Sequence, residues 1–403
     1  MNKWVYAAAA SLASILLLHP ATSLAANVSG RLTAAVESYD TPGGNQGTPF
    51  YLYGFLNTEN LGDMKGLNFR CYGRLADDLS RNLDKENRLY LAYLEKKDVV
   101  DRLDFRLGRQ FVTTTAGTAT LDGLDLTYTL ADLAKLRFFG GGFVTFDDAY
   151  GGGAKAYGAE VRSVTNGPLK GGVSYFQKRD GSDLAGELTG LDVSYDFPGL
   201  IEFSTEIQYD LLKSERSYTL LEANYYRSTQ FGIKVHYLYD LPVFDTTSIY
   251  SVFAVDKYEE YMAELTYKLG DGMRAVGRYT LEDFKSTDNA QVYEAGVEKF
   301  GYDKWNGYFI ATLRKDPEGQ DLKGFKAAAS YKYDSYFQPG VGLNYDVLER
   351  RLESDDSTTS RRMWVQVRSD LTPAFSLEAK LESSKSDLYN HFYYGRLQAN
   401  YRF

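Results

Sequence analysis

Apolar and polar residues alternate with a period of two along most of this chain. In 200–210, Ile201, Phe203, Ile207 and Tyr209 oppose Glu202, Ser204, Glu206, Gln208 and Asp210. In 260–269, Tyr261, Ala263, Leu265, Tyr267 and Leu269 oppose Glu260, Glu264, Thr266 and Lys268. In 374–382, Phe375, Leu377, Ala379 and Leu381 oppose Ser376, Glu378, Lys380 and Glu382. Extended backbone points successive side chains to opposite faces, so each segment is predicted as a strand with one apolar and one charged face. Strand signals begin at Asn27–Glu37 and run to Phe403, leaving no room for a plug or linker. Short turn signals include Phe197-Pro198-Gly199, Thr165-Asn166-Gly167-Pro168, Gly270-Asp271-Gly272 and Gly301-Tyr302-Asp303. They roughly alternate with longer polar stretches at 39–49, 77–87, 146–154, 241–257, 315–322 and 349–358. Strands placed between them number about 22, with 20–24 allowed and 241–257 taken as a loop.

The final thirteen residues, HFYYGRLQANYRF, sharpen this picture. Tyr393, Gly395, Leu397, Ala399, Tyr401 and Phe403 share one face; Tyr394, Arg396, Gln398, Asn400 and Arg402 share the other. The segment resembles the terminal strand of bacterial outer-membrane β-barrel proteins, which closes on an aromatic residue. That resemblance implies that Tyr401 and Phe403 form the signal read by the barrel-assembly machinery. At the other end, Lys3, an apolar run through Leu18 and then Ser23-Leu24-Ala25 read as a cleaved secretory signal peptide over 1–25. Thereafter no apolar run of about 18 residues remains, which excludes helical spans. The expectation is an all-β, transmembrane antiparallel up-and-down barrel of residues 26–403, a single domain in the outer membrane and in contact with its lipid.

Composition agrees. Tyr numbers 34, Phe 23 and Gly 37, against only 9 Pro. A mean hydropathy of −0.38 suits a barrel, because polar lumen-facing residues offset lipid-facing ones. The net charge of −9 and the lack of a basic stripe argue against nucleic-acid binding. Cys71 is the one cysteine, so an intramolecular disulfide is impossible, and its position beside Phe69 and Leu75 reads as a small lipid-facing hydrophobe. With no CxxCH and three histidines, the chain is expected to bind no haem, metal or other cofactor of its own.

Two features carry the functional reading. The first is the stretch 103–128, LDFRLGRQFVTTTAGTATLDGLDLTY. Its Gly108-Arg109-Gln110, Gly117 and Leu121-Asp122-Gly123-Leu124 resemble a strand–loop–strand unit in porin-like barrels of metal-reducing bacteria. Taken alone, Asp122-Gly123 reads as a turn or bulge. The second feature is the inward charge. Early strands carry Arg31, Arg70, Arg74, Arg88, Arg106, Arg137, Arg162 and Lys170. Later strands carry Asp192, Asp196, Glu202, Glu206, Asp210, Glu222, Glu260 and Glu264. The expectation is a lumen with one basic arc followed by one acidic arc, giving a transverse field that tunes passage.

The leading functional expectation is a passive channel for small hydrophilic solutes or ions, narrowed by an inward loop, with 241–257 as the best candidate. The alternative follows from resemblance to the porin component of porin–cytochrome conduits. There the barrel would sheathe a multihaem c-type cytochrome for extracellular electron transfer. An enzyme is not expected: His236 and His391 lack a Ser–Asp/Asn arrangement in sequence, and Asp355-Asp356 and Glu259-Glu260 read as rim charges.

Overall fold

The computed structural model describes residues 27–40, 45–83, 85–145, 153–165, 167–226, 230–242, 257–284, 288–301, 304–316, 321–349, 357–386 and 389–403. The leader at 1–25 and most of the 241–257 stretch lie outside the described residues.

All strands join one antiparallel sheet. The first eight are β1 (Asn27–Asp40), β2 (Gln46–Gly47), β3 (Pro49–Glu59), β4 (Leu67–Asp78), β5 (Arg88–Lys96), β6 (Leu103–Thr114), β7 (Gly117–Leu130) and β8 (Ala134–Phe143). Then come β9 (Ala154–Ser163), β10 (Leu169–Asp180), β11 (Asp183–Phe197), β12 (Ile201–Asp210), β13 (Glu215–Tyr225), β14 (Phe231–Asp240) and β15 (Tyr258–Gly270). The chain finishes with β16 (Met273–Phe284), β17 (Ala290–Lys299), β18 (Trp305–Lys315), β19 (Leu322–Tyr331), β20 (Gln338–Glu349), β21 (Ser357–Asp370), β22 (Phe375–Ser386) and β23 (Tyr389–Arg402). β2 is a two-residue piece that doubles back on the end of β1. The other 22 strands each pair with the next long strand in sequence, and β1 also pairs with β23.

Closure is tight at the seam. The register runs from Arg31↔Arg402 to Tyr39↔Tyr394. Beyond it, the Gly30 N–H donates to the Phe403 carbonyl at 2.9 Å, and the Phe403 N–H returns a bond to Gly30 at 3.1 Å. A closed ring has no free strand edge, so every wall strand finds lateral backbone partners in a medium without water. An even strand number puts both described chain ends at one rim. Turns there are short, such as 198–200 and 271–272, while the strand ends at Asp78 and Arg88, Phe143 and Ala154, and Asp240 and Tyr258, which are separated by longer stretches of sequence, lie at the opposite rim. That asymmetry places the chain ends at the periplasmic side and the longer loops outside.

Lateral partners share a face, so the register fixes the two surfaces of the wall. One surface carries Leu265, Leu381, Tyr393 and Leu397, each more than half exposed. In water such a surface would be costly; facing lipid it is favourable. Aromatic residues flank this band, with Trp305, Tyr331, Tyr401 and Phe403 towards the periplasmic rim and the Tyr237–Tyr261 and Phe325–Tyr345 ring pairs towards the external rim. Cys71 lies on the same outward face, opposite in parity to Arg70 and Tyr72. The helical content among the described residues is one 3₁₀ turn, Leu61–Asp63, and none of it is long and apolar enough to cross a membrane.

Candidate functional site

The β6–β7 hairpin leaves the wall. β5 supports β6 only from Phe105 to Arg109, and β8 supports β7 only from Leu121 to Leu130. Between these limits the hairpin residues pair with each other, Phe111 with Thr120 and Val112 with Ala119, around a two-residue turn at Thr115-Ala116. The departure is set by glycine. Gly108 has φ +124°, which disfavours any side chain, and Gly123 stands directly opposite it. Asp122-Gly123 therefore occupies the middle of a continuous strand, where close backbone packing replaces the turn or bulge expected from sequence.

The hairpin lies on the inner surface of the wall. Val112, Ala116, Ala119 and Leu121 pack with Phe139 of β8, Ala156 of β9 and Phe176 of β10 into the buried apolar cluster of the chain, with Phe143 and Leu188 against it. Polar bonds fasten the tip further round. The Ala116 N–H donates to Ser174 Oγ at 2.8 Å, and Thr115 Oγ1 donates to Asp192 Oδ1 at 2.7 Å. Gln208 Nε2 on β12 reaches the Ala116 carbonyl at 2.9 Å, while its Oε1 accepts from Ser217 at 2.8 Å. Gly190 makes room, because a Cβ there would lie 2.4 Å from the Ala116 nitrogen. Ser174, Asp192 and Gln208 each neighbour an exposed apolar residue of opposite parity (Val173, Leu191, Tyr209), so the tip reaches from β6 to β12 along the inner face. This identifies the face of Ser174, Asp192 and Gln208 as the lumen. Phe111, Thr113 and Thr118, on the hairpin's other face, remain exposed to it.

The structure corrects the expected separation of charge. Acids stand among the early arginines. Arg106 and Arg137 both donate to Asp125, which is 2% exposed; Arg137 and Arg162 share Glu160; Arg162 reaches over β10 to Asp192 at 2.8 Å. Arg106, Asp125, Arg137, Glu160, Arg162 and Asp192 thus form an alternating chain of ion pairs around the wall. Arg109 and Asp122 pair at 2.6 Å on the hairpin itself. The acidic side is likewise interrupted by cations. Glu222 pairs with Lys234 at 2.5 Å, and Arg278 bridges Glu264 and Glu294 at 2.5 and 2.6 Å. Glu260 is bonded by His236 Nε2 at 2.6 Å and by the Tyr258 hydroxyl.

The remaining lumen-facing residues are distributed more loosely. Arg70 donates to Asn57 at 3.0 Å and lies 4.0 Å from Glu95. Arg74 stands opposite Arg88, donates to the Glu86 carbonyl and covers the Tyr51 ring. Lys170 faces Ser194, Asp196 accepts from the Tyr226 hydroxyl, Glu202 lies opposite Asp196, and Glu206 lies opposite Asp192. Arg31 lies opposite Arg402 at the seam. Asp210 does other work: it is 3% exposed and caps the 211–214 turn through the Leu212 and Lys213 N–H groups. Tyr401 and Phe403 stack on the outward face, their centroids 6.1 Å apart. Inner residues not singled out from sequence include Asp125, Glu160, Arg278 and Glu294. Following the parity of Arg106, Arg162 and Glu264 to the neighbouring segments would have found them.

No family model matches the chain, and no curated protein matches it. Solved structures do resemble it. The P pilus usher (PapC) translocation pore aligns with a TM-score of 0.50 at 7% identity, over 93% of this chain and 99% of that one. The outer membrane protein opdK from Pseudomonas aeruginosa aligns at 0.48 and 10% identity, over 94% and 98%. Acinetobacter baumannii OccAB4 aligns at 0.48 and 11% identity, over 96% and 100%. At such identities the likeness speaks to fold. The closed 22-strand ring, the outward apolar band and the polar interior define a multi-pass β-barrel of the bacterial outer membrane.

Proposed function

We propose that this chain is a passive channel of the outer membrane, passing small hydrophilic solutes or ions, and that the inward β6–β7 hairpin sets its narrowest section. The observation that carries this reading is the hairpin's attachment along the inner wall from β8 to β12. A channel needs a polar wall and a defined constriction. The hairpin supplies the second; the 241–257 stretch suggested by sequence lies mostly outside the described residues. Alternating ion pairs supply the first: they keep the wall charged, while nearly balanced charge along the arc limits the net barrier for either sign of ion. In this reading the chain is not an enzyme and holds no cofactor of its own. In the sheath alternative an enclosed cytochrome would share the lumen with this hairpin.

The test is single-channel conductance in planar bilayers. Replacing 111–120 with a two-residue turn should enlarge the conductance while the barrel still inserts. Unchanged conductance would remove the hairpin from the permeation path. A mild-detergent pull-down from native membranes provides the companion measurement. Haem absorbance co-purifying with the barrel would favour the sheath instead.

A further inference from the structure

The outward face near the external rim carries charge that the channel reading does not use. On β21, β22 and β23, Arg361, Lys385 and His391 form one lateral row, with Arg361 opposite Lys385 and Lys385 opposite His391. All three are exposed. Their parity is that of Met363, Val365, Leu381 and Tyr393, so they stand on the lipid side of the wall. Lys315 on β18 lies on the same rim and face. Among the described side chains of β21 to β23, no carboxylate stands on that outward face; Asp321, just before β19, accepts the Asp316 backbone N–H at 2.8 Å. Asp40, on the outward face of neighbouring β1, accepts the Tyr393 backbone N–H at 3.0 Å. Two outward cations elsewhere on the external rim do have acids near them: Lys257 beside Glu259, and Arg179 with Glu187 on the next strand.

The opposed Arg361 and Lys385 are unfavourable by themselves. Directly opposed side chains on a sheet have Cβ atoms about 4.5–5.5 Å apart, and like charges there repel. At the edge of a low-dielectric layer that repulsion is strengthened. An anion with several acceptor oxygens reverses its sign, because guanidinium and ammonium groups converge on one phosphate. What lies beneath the row selects the source of that phosphate. Met363, at 58% exposure, and Tyr393, at 56%, occupy the next outward positions towards the membrane centre, followed by Val365 and Leu381. Head-group chemistry above and an apolar surface below match a lipid, with phosphates at the cationic row and acyl chains along the aliphatic strip.

We propose that Arg361, Lys385 and His391 form a binding site for a phosphate-bearing lipid of the outer leaflet. The site is independent of permeation, since every residue in it faces away from the lumen. The bound lipid would tie the β21–β23 sector, next to the β1–β23 seam, to the surrounding leaflet.

Lipid binding to the purified, delipidated barrel tests this directly, using bisphosphorylated lipid A as probe in native mass spectrometry or equilibrium titration. Phosphatase-treated lipid A and inorganic phosphate serve as separate arms. The wild-type barrel should prefer the bisphosphorylated lipid. Each basic residue near an anionic lipid surface contributes roughly a five-fold factor, so Arg361→Gln with Lys385→Gln should weaken binding about thirty-fold. Arg361→Lys with Lys385→Arg should retain it, and Lys155→Gln with Arg179→Gln, elsewhere on the rim, should leave it unchanged. Circular dichroism and unheated gel migration check the fold. If the double neutral variant does not fold, Lys385→Gln alone should show a loss of about five-fold. Unaltered affinity in the folded neutral variant overturns the proposal, as does equal binding of the dephosphorylated lipid. Equal occupancy by inorganic phosphate would leave only an ion site, and also overturns it.

Discussion

Gly108 and Gly123 face each other across the β6–β7 pair, and neither position has space for a side chain. A Cβ on Gly108 would lie 2.3 Å from the Ala92 carbonyl oxygen, and one on Gly123 would lie 2.1 Å from that of Gly140. The two strands beside the hairpin thus press on its base from both sides, at the level where it bends into the lumen. Alanine at either position should store strain or push the hairpin off the wall, costing about 1–3 kcal/mol of stability. Denaturant-dependent unfolding in micelles measures the cost, and planar-bilayer conductance reads the hairpin's position. Gly123→Ala with wild-type values for both would show that the bend does not depend on this contact.

Asp125 binds two arginines from a position almost closed to solvent. Removing one partner of a buried ion pair leaves the others uncompensated, at a cost of about 3–5 kcal/mol. Asp125→Ala should therefore destabilise the barrel strongly and leave Arg106 and Arg137 without their shared acid. Reversal potentials in a salt gradient should move towards anion preference. A neutral effect on both stability and selectivity would refute a structural and electrostatic role for this residue.

Neighbouring residues on β15 should respond differently to substitution. Leu265 is 54% exposed on the outward face, whereas Glu264 meets Arg278 inside. Leu265→Arg should cost roughly 2–4 kcal/mol if the residue lies near the bilayer midplane. Glu264→Gln keeps the side chain's shape and removes one of two acids around Arg278, so its main effect should be on ion selectivity. Glu264→Arg is the harsher change, because it sets two guanidinium groups side by side. Equal folding penalties for Leu265→Arg and Glu264→Gln would mean that the faces are wrongly assigned.

Deletion of Phe403 should impair assembly. Its backbone makes the final pair of hydrogen bonds with Gly30, and its ring ends the outward aromatic face beside Tyr401. We expect reduced outer-membrane insertion in cells, read by heat-modifiable gel migration of membrane fractions. Insertion at the wild-type level would argue that the seam closes without this residue.

Asp78 should matter for the external loop that follows β4. Its carboxylate accepts bonds from the backbone N–H groups of Thr48, Asn82 and Leu83 and from the Ser80 hydroxyl. Asp78→Ala leaves those donors without their shared acceptor. Cleavage within 79–87 by an externally added protease should then accelerate several-fold, with little change in barrel stability.

The alternation of side chains by itself determined the strands and the two faces of the wall, and put their number near 22. A period of two is a local property, and in lipid only a closed ring satisfies the backbone, so Leu265 outward and Glu264 inward follow without tertiary information. The terminal strand could likewise be read residue by residue. Sequence also marked 103–128 as unusual, though not why. That hairpin's path depends on where neighbouring strands stop, on the close approach of Gly140 and Ala92, and on partners as distant as Gln208, and none of these has a local signature. The same holds for charge. Parity shows which residues point inward, but the pairing of Arg137 with Asp125 and Glu160, or of Arg162 with Asp192, depends on register and on the reach of long side chains over intervening strands. Those distances exist only once the ring has closed.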